Sequence, residues 1–238
     1  MNPTQQIYKE LQQLFDHFND RLFNNELPPC LLTLQRHKNT YGYFSKNRFT
    51  NTHKEYVSEI ALNPEYFSTI PIVEVAQTVV HEMVHFLQFL KGKPGRGRYH
   101  NKEWANMMKE VGLMPSSTGK PGGKETGDRM ADYPIEGGLF LKAFDELMTN
   151  EFKISWADRF PPKEKIINSI NTGETKIEEW GDLTIYGLIE NPQNGMVEPI
   201  TENKSNRVKF SCPKCNSNIW AKPKIKAICG DCNIPFEC

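Results

Sequence analysis

Residues 81–104 read HEMVHFLQFLKGKPGRGRYHNKEW and hold three of the six histidines in the chain. His81 and His85 are four apart, so a helix places both imidazoles on one face, about one turn from each other. Glu82 lies beside the first of them. Two histidines at this spacing with an adjacent glutamate are the HExxH arrangement, in which the imidazoles hold zinc and the carboxylate serves as general base.

A catalytic zinc takes three protein ligands and keeps a fourth position open. His100 is the leading candidate for the third ligand, with Glu103 and Glu110 as carboxylate alternatives. Fourteen residues separate His85 from His100, enough for the chain to leave a helix, turn through Gly92–Gly97 and return. Zinc lowers the pKa of its water to about 7. Glu82 would accept the proton as water attacks a polarised carbonyl and pass it to the leaving amine. The reaction expected is peptide hydrolysis. The opposing reading is three hydrogen-bonded histidines at a helix edge; burying them on so apolar a helix without a metal would be costly. His17, His37 and His53 stand in polar surroundings and read as surface residues. Arg129 and Tyr133 are candidates for stabilising an oxyanion.

Four of the six cysteines form two CxxC pairs, CPKC (Cys212, Cys215) and CGDC (Cys229, Cys232), thirteen residues apart. This spacing predicts a structural four-thiolate zinc site on short hairpins. So small a module needs the metal to fold. Between the pairs, Trp220 stands among Lys222, Lys224 and Lys226, which joins a stacking surface to positive charge as single-stranded nucleic acid binding requires. The opposing reading packs Trp220 on the ribbon and leaves the lysines to solvent. Cys238 reads as a bystander.

The elements that must carry these groups follow from pattern. Ile7, Leu11, Leu14, Phe15, Phe18 and Leu22 recur at helical spacing over 4–23. LLTLQR, TYGYFS and VSEIALN predict three short strands in a small antiparallel sheet. IPIVEVAQTVVHEMVHFLQFLKG reads as a long buried helix stopped by Pro94, Gly95 and Gly97. NKEWANMMKEVGLM reads as a helix closed by Gly112, and GLFLKAFDELM as another. Residues 115–137 read as a long irregular loop of the kind that often serves a site. FKISW and LTIYGLI are strand candidates in an otherwise unreadable 150–206.

The chain has 238 residues and zero formal net charge, with 38% hydrophobic and 24% charged residues. That is a globular composition with no whole-chain bias toward nucleic acid or membrane. Charge is segregated, however: residues 145–200 carry a net −6 and residues 201–238 a net +4. No apolar run matches a membrane span. The N-terminus lacks the apolar stretch of a secretion signal. These features and the CxxC usage predict a cytoplasmic protein, not secreted.

The chain resembles the SprT-like (Spartan-related) metallopeptidases. HEMVH in a buried helix, the later histidine in HNKEW, YGYFS and EIALNP upstream, GLMPSSTG downstream and the four-cysteine element carry the resemblance, over about residues 1–145 and 207–238. It departs from metzincins, whose third histidine follows within the same tight turn. The resemblance implies an α+β, zincin-like fold with His81, His85 and His100 on zinc and Glu82 as acid/base. It also implies a DNA-associated role, because Spartan-type members cleave proteins crosslinked to DNA. The expected organisation is a peptidase domain over 1–149, a linker or extension over 150–206 and a zinc ribbon over 207–238. Two zinc ions, one catalytic and one structural, protein substrates and single-stranded DNA or DNA–protein complexes are the expected partners. The alternative is a non-enzymatic, DNA-binding zinc protein whose HExxH site is structural.

Overall fold

In the computed structural model, residues 2–150, 152–159 and 208–237 are described. The chain divides into two compact units, Met1–Gly187 and Leu188–Cys238. LTIYGLI lies outside the described residues.

The first unit is built from four helices and two small sheets among the described residues. Helix α1 (Pro3–Phe23) starts where Asn2 accepts a 3.0 Å hydrogen bond from Thr4 N, and Pro3 occupies its first turn. An asparagine cap with proline just inside satisfies or removes the N–H groups that a helix start leaves over. Ile7, Leu11, Leu14, Phe15 and Phe18 are buried, as their spacing requires. Helix α2 (Ile72–Lys91) buries Val75, Ala76, Val79, Val80, Met83, Val84 and Phe86. Helices α3 (Lys102–Glu110) and α4 (Leu139–Thr149) follow. Gly112 closes the turn after α3 at φ +89°, a left-handed conformation in which glycine carries no Cβ penalty.

Strands β1 (Leu31–Leu34), β2 (Gly42–Thr50) and β3 (Tyr56–Leu62) form a sheet ordered β1-β3-β2. β2 and β3 are antiparallel, with Gly42 opposite Leu62 and an irregularity between Ser45 and Phe49. β1 and β3 are parallel, with Leu31 opposite Glu59, so the wholly antiparallel sheet expected from sequence is corrected to a mixed one. The reason is direction: β1 and β2 run in opposite senses on either side of β3, so a strand antiparallel to β2 runs with β1. The buried face of β3, through Ile60 and Leu62, joins the core with α1 and α2. Phe44 of β2 stacks on Phe86 of α2 at 5.1 Å between centroids, which clamps the sheet to the long helix.

Two further expectations change. Within 115–137 the chain forms a hairpin of β4 (Leu113–Ser116) and β5 (Ala131–Pro134), pairing Pro115 with Asp132. FKISW forms no strand; Phe152 and Ile154 instead drop into the core. Ser155 N donates to Glu10 at 2.7 Å, and Asp158 N to Pro64 O at 3.0 Å, so packing in this unit continues past residue 149. His17 is half-buried rather than a surface residue, its Nε2 lying 2.7 Å from Ala143 O on α4, whereas His37 and His53 are exposed.

Among the described residues, the second unit holds two hairpins, β6 (Val208–Ser211) with β7 (Asn218–Ala221), and β8 (Ile228–Cys229) with β9 (Ile234–Pro235). The architecture is therefore mixed helix and small sheet, α+β. Among the described residues no helix is long and apolar enough to cross a membrane.

Candidate metal centre

Helix α2 presents His81 and His85 from successive turns, and the start of α3 brings His100 to them. The metal-binding atoms of the three lie within 4.8 Å of one another. Their ring centroids are 5.1 Å (81–85), 5.5 Å (81–100) and 4.8 Å (85–100) apart. Neither Glu103 nor Glu110 belongs to this cluster among the described residues.

The return path is held by polar bonds. Buried Gln88, near the end of α2, donates to Asn101 at 2.9 Å and to Glu103 at 2.8 Å. Asn101 caps α3 by accepting from Trp104 N at 3.0 Å and donates to Lys93 O at 2.8 Å. Glu103 accepts from Lys93 N at 2.6 Å. The backbone hydrogen bond from Lys93 and then the side-chain hydrogen bond from Gln88 hold the Glu103 carboxyl below its ordinary value. This carboxylate thus braces the loop. Gly92 permits the arrangement, since a Cβ there would lie 2.6 Å from Glu103 Oε2.

The other side of the centre comes from the 115–137 segment. His100 N donates to Gly127 O at 2.8 Å and Gly127 N to His100 O at 3.1 Å, an isolated bridge that joins the two loops at this histidine. His100 Nδ1 also lies 3.1 Å from Gly127 O. Asp132 on β5 sets its Oδ2 2.8 Å from His81 Nδ1, with both side chains largely buried. Protonated Nδ1 atoms donating outward leave Nε2 of His81 and of His100 for an ion, the arrangement by which outer partners fix the tautomer of a metal-binding imidazole. The donor set therefore fits a metal.

Beneath the rings lies Trp104, fully buried, with centroids 5.0, 5.4 and 4.4 Å from His81, His85 and His100. Burial first, then the charge of His81, pushes His85 down to about 2 and His100 down to about 4. Both are neutral at pH 7, as metal binding needs. For His81, burial pulls downward, but the bond to Asp132 and the charges of Glu82 and Asp132 outweigh it and the net direction is up. Burial raises Glu82 above its ordinary value against the opposing pull of His81 and a backbone hydrogen bond from Phe44. A carboxylate raised in this way is a better proton acceptor near neutrality.

Sequence reading missed Asp132 and the platform role of Trp104. The EW that follows His100 offered a hint for Trp104, three positions beyond the capping asparagine. Nothing local pointed to Asp132. Tyr133 follows it on β5, and strand alternation sends its side chain to the opposite face. Arg129 is exposed.

In the second unit, the ligand atoms of Cys212, Cys215, Cys229 and Cys232 also lie within 4.8 Å of one another. Each CxxC is followed by an asparagine with positive φ, Asn216 at 58° and Asn233 at 53°. Asn216 N donates to Cys212 O at 2.9 Å and Asn233 N to Cys229 O at 2.8 Å, so the two turns are built alike. Hydrogen bonds from Ser217 pull the Cys215 thiol down to about 6, toward the thiolate that binds metal.

Residues 11–121 match the SprT-like family model, a span that contains the three histidines and stops short of Asp132. The chain is 32% identical over 115 residues to Protein SprT of Glaesserella parasuis serovar 5 (strain SH0165), covering 48% of this chain and 65% of that protein. It is 58% identical over 59 residues to an uncharacterised protein in the mucB 3' region of Salmonella typhimurium, covering 24% of this chain and 80% of that protein. No solved structure matches. Over residues 11–121, which carry the three histidines, the chain is thus similar to the SprT-like family.

Proposed function

We propose that the protein is a zinc-dependent endopeptidase of zincin-like fold, acting on DNA-associated or DNA-crosslinked proteins. The observation that carries this reading is the convergence of His81, His85 and His100 around one point, with the buried carboxylate of Glu82 next to the first of them on the same helix. His81, His85 and His100 would hold the ion. Zinc in such a setting supplies Lewis acidity for a substrate carbonyl and lowers the pKa of water.

The chain's own residues do the rest. Asp132 and Gly127 fix the rings of His81 and His100. Trp104 closes the floor against water from behind. The Phe44 backbone N–H steadies Glu82, which takes the proton from the attacking water and delivers it to the leaving amine. Residues 208–237 act as a zinc ribbon held by Cys212, Cys215, Cys229 and Cys232. Its Trp220 is 63% exposed and pairs across the hairpin with Lys209, and Lys222, Lys224 and Lys226 are exposed. An exposed indole among cations suits stacking on single-stranded DNA and argues against an indole spent on ribbon packing. Such substrates go with a cytoplasmic protein acting at the nucleoid, or in the nucleus if eukaryotic.

Glu82→Gln is the test. The variant should bind zinc as the parent does and lose peptide cleavage by at least about 100-fold. Undiminished cleavage sinks the proposal.

A further inference from the structure

The segment that carries the chain from α2 to His100 has a property the hydrolytic reading does not use. Residues 91–102 contain Lys91, Lys93, Arg96, Arg98 and Lys102 and no acidic residue. Lys91 pairs with Glu26, and Lys93 sits in the field of Glu103. Arg96 and Arg98 are exposed and, among the described residues, have no ion pair. Tyr99 beside them is 45% exposed. Across the His100–Gly127 bridge stands a third exposed arginine, Arg129, with Asp128 as the nearest opposing charge in sequence.

This loop is anchored to the candidate centre at several points. Its start is held by Glu103 and Asn101 through Lys93 N and O, and its middle by Tyr99 N donating to Arg96 O at 3.1 Å. Its end is held by the bridge at His100, and the Arg98 carbonyl accepts a hydrogen bond from the His100 ring. The arginines therefore project from a braced backbone next to the histidines, which limits the ordering entropy that a ligand must overcome.

We propose that this loop, through Arg96, Arg98 and Tyr99, is a nucleic-acid contact at the mouth of the metal centre, taking the phosphodiester backbone of a single strand. It rests on the reading above that the substrates are attached to nucleic acid, and it is additional to the ribbon. Guanidinium groups match phosphate oxygens with two parallel hydrogen bonds, and an exposed tyrosine beside them offers a face for a base. A strand held here would bring a protein attached to it to Glu82, and the ribbon alone need not do the positioning.

The experiment uses the full chain with zinc bound, a fluorescein-labelled single-stranded oligonucleotide read by anisotropy across a salt series, and a peptide substrate supplied free or tethered to the same oligonucleotide. Arg96→Ala/Arg98→Ala should lower the salt slope of log K by about 1.4, two phosphates at roughly 0.7 each for a single strand. The same variant should cut the tethered peptide at least about 5-fold more slowly and the free peptide at the parental rate, with anisotropy slope as the readout independent of hydrolysis. Tyr99→Ala should weaken binding without changing the slope. An unchanged slope, or no oligonucleotide binding by the parent, overturns the proposal. Equal slowing on free acidic and tethered peptides also overturns it, because the loop would then read the polypeptide. If the parent protein cuts nothing yet the slope falls as stated, the peptidase reading fails and the contact stands.

Discussion

Asp132→Ala isolates what the 115–137 segment contributes to the centre. Asp132 Oδ2 accepts from His81 Nδ1 at 2.8 Å, with the two side chains 5% and 12% exposed, so solvent screens the contact little. A hydrogen bond involving a charged group is worth about 1.5–3 kcal/mol. Losing it should weaken zinc binding at the histidine site roughly 10- to 100-fold, the range for the outer partner of a metal-binding histidine. Asp132→Asn keeps an acceptor oxygen and removes the charge, so its loss should be smaller, about 5- to 10-fold. Folding stability of the metal-free protein should move less than zinc affinity. Asp132 Oδ1 is buried without a partner among the described residues, and removing an unsatisfied acceptor offsets part of the lost bond. The assay is competition with a chelator of known affinity, using cobalt spectra to separate the histidine site from the four-thiolate site, with thermal melts of the metal-free variants alongside. Zinc affinity within twofold of the parent for a folded Asp132→Ala would falsify the claim that this carboxylate holds His81 for the metal.

Two further outcomes follow from packing. Trp104→Ala removes a fully buried ring that touches all three histidine rings, and should cost about 3–5 kcal/mol in a denaturant titration with zinc affinity falling in parallel. Trp104→Phe should recover most of both; equal loss in the two variants would show that the platform needs more than an aromatic face. Chelation should unfold residues 208–237 and spare the first unit, because Phe210, Cys212 and Cys229 are the only buried apolar residues described there. Amide hydrogen exchange reads this directly, and a ribbon still protected in chelator refutes it.

Periodic, local signals were legible before any fold was known. The four-residue spacing of His81 and His85 and the apolar run around them depend on neighbours within a turn or two. The two CxxC pairs follow from the reach of a short knuckle. The approach of His100 was inferable because a Gly- and Pro-rich segment of fixed length joins two predictable helices. Partners brought together across long separations left no such trace. Asp132 meets His81 from 51 positions away and Gly127 meets His100 from 27, through a hairpin that turn-rich composition disguised as loop. Strand direction was hidden for the same reason. β1 and β3 look alike in sequence whichever way they run, and only the opposite directions of β1 and β2 on either side of β3 made one pair parallel. The spacing of the ligand-type residues was thus written in the chain itself. The orientation of the rings, and the carboxylate and indole that hold them, were decided by tertiary packing, because hydrogen bonds between distant segments obey no sequence period.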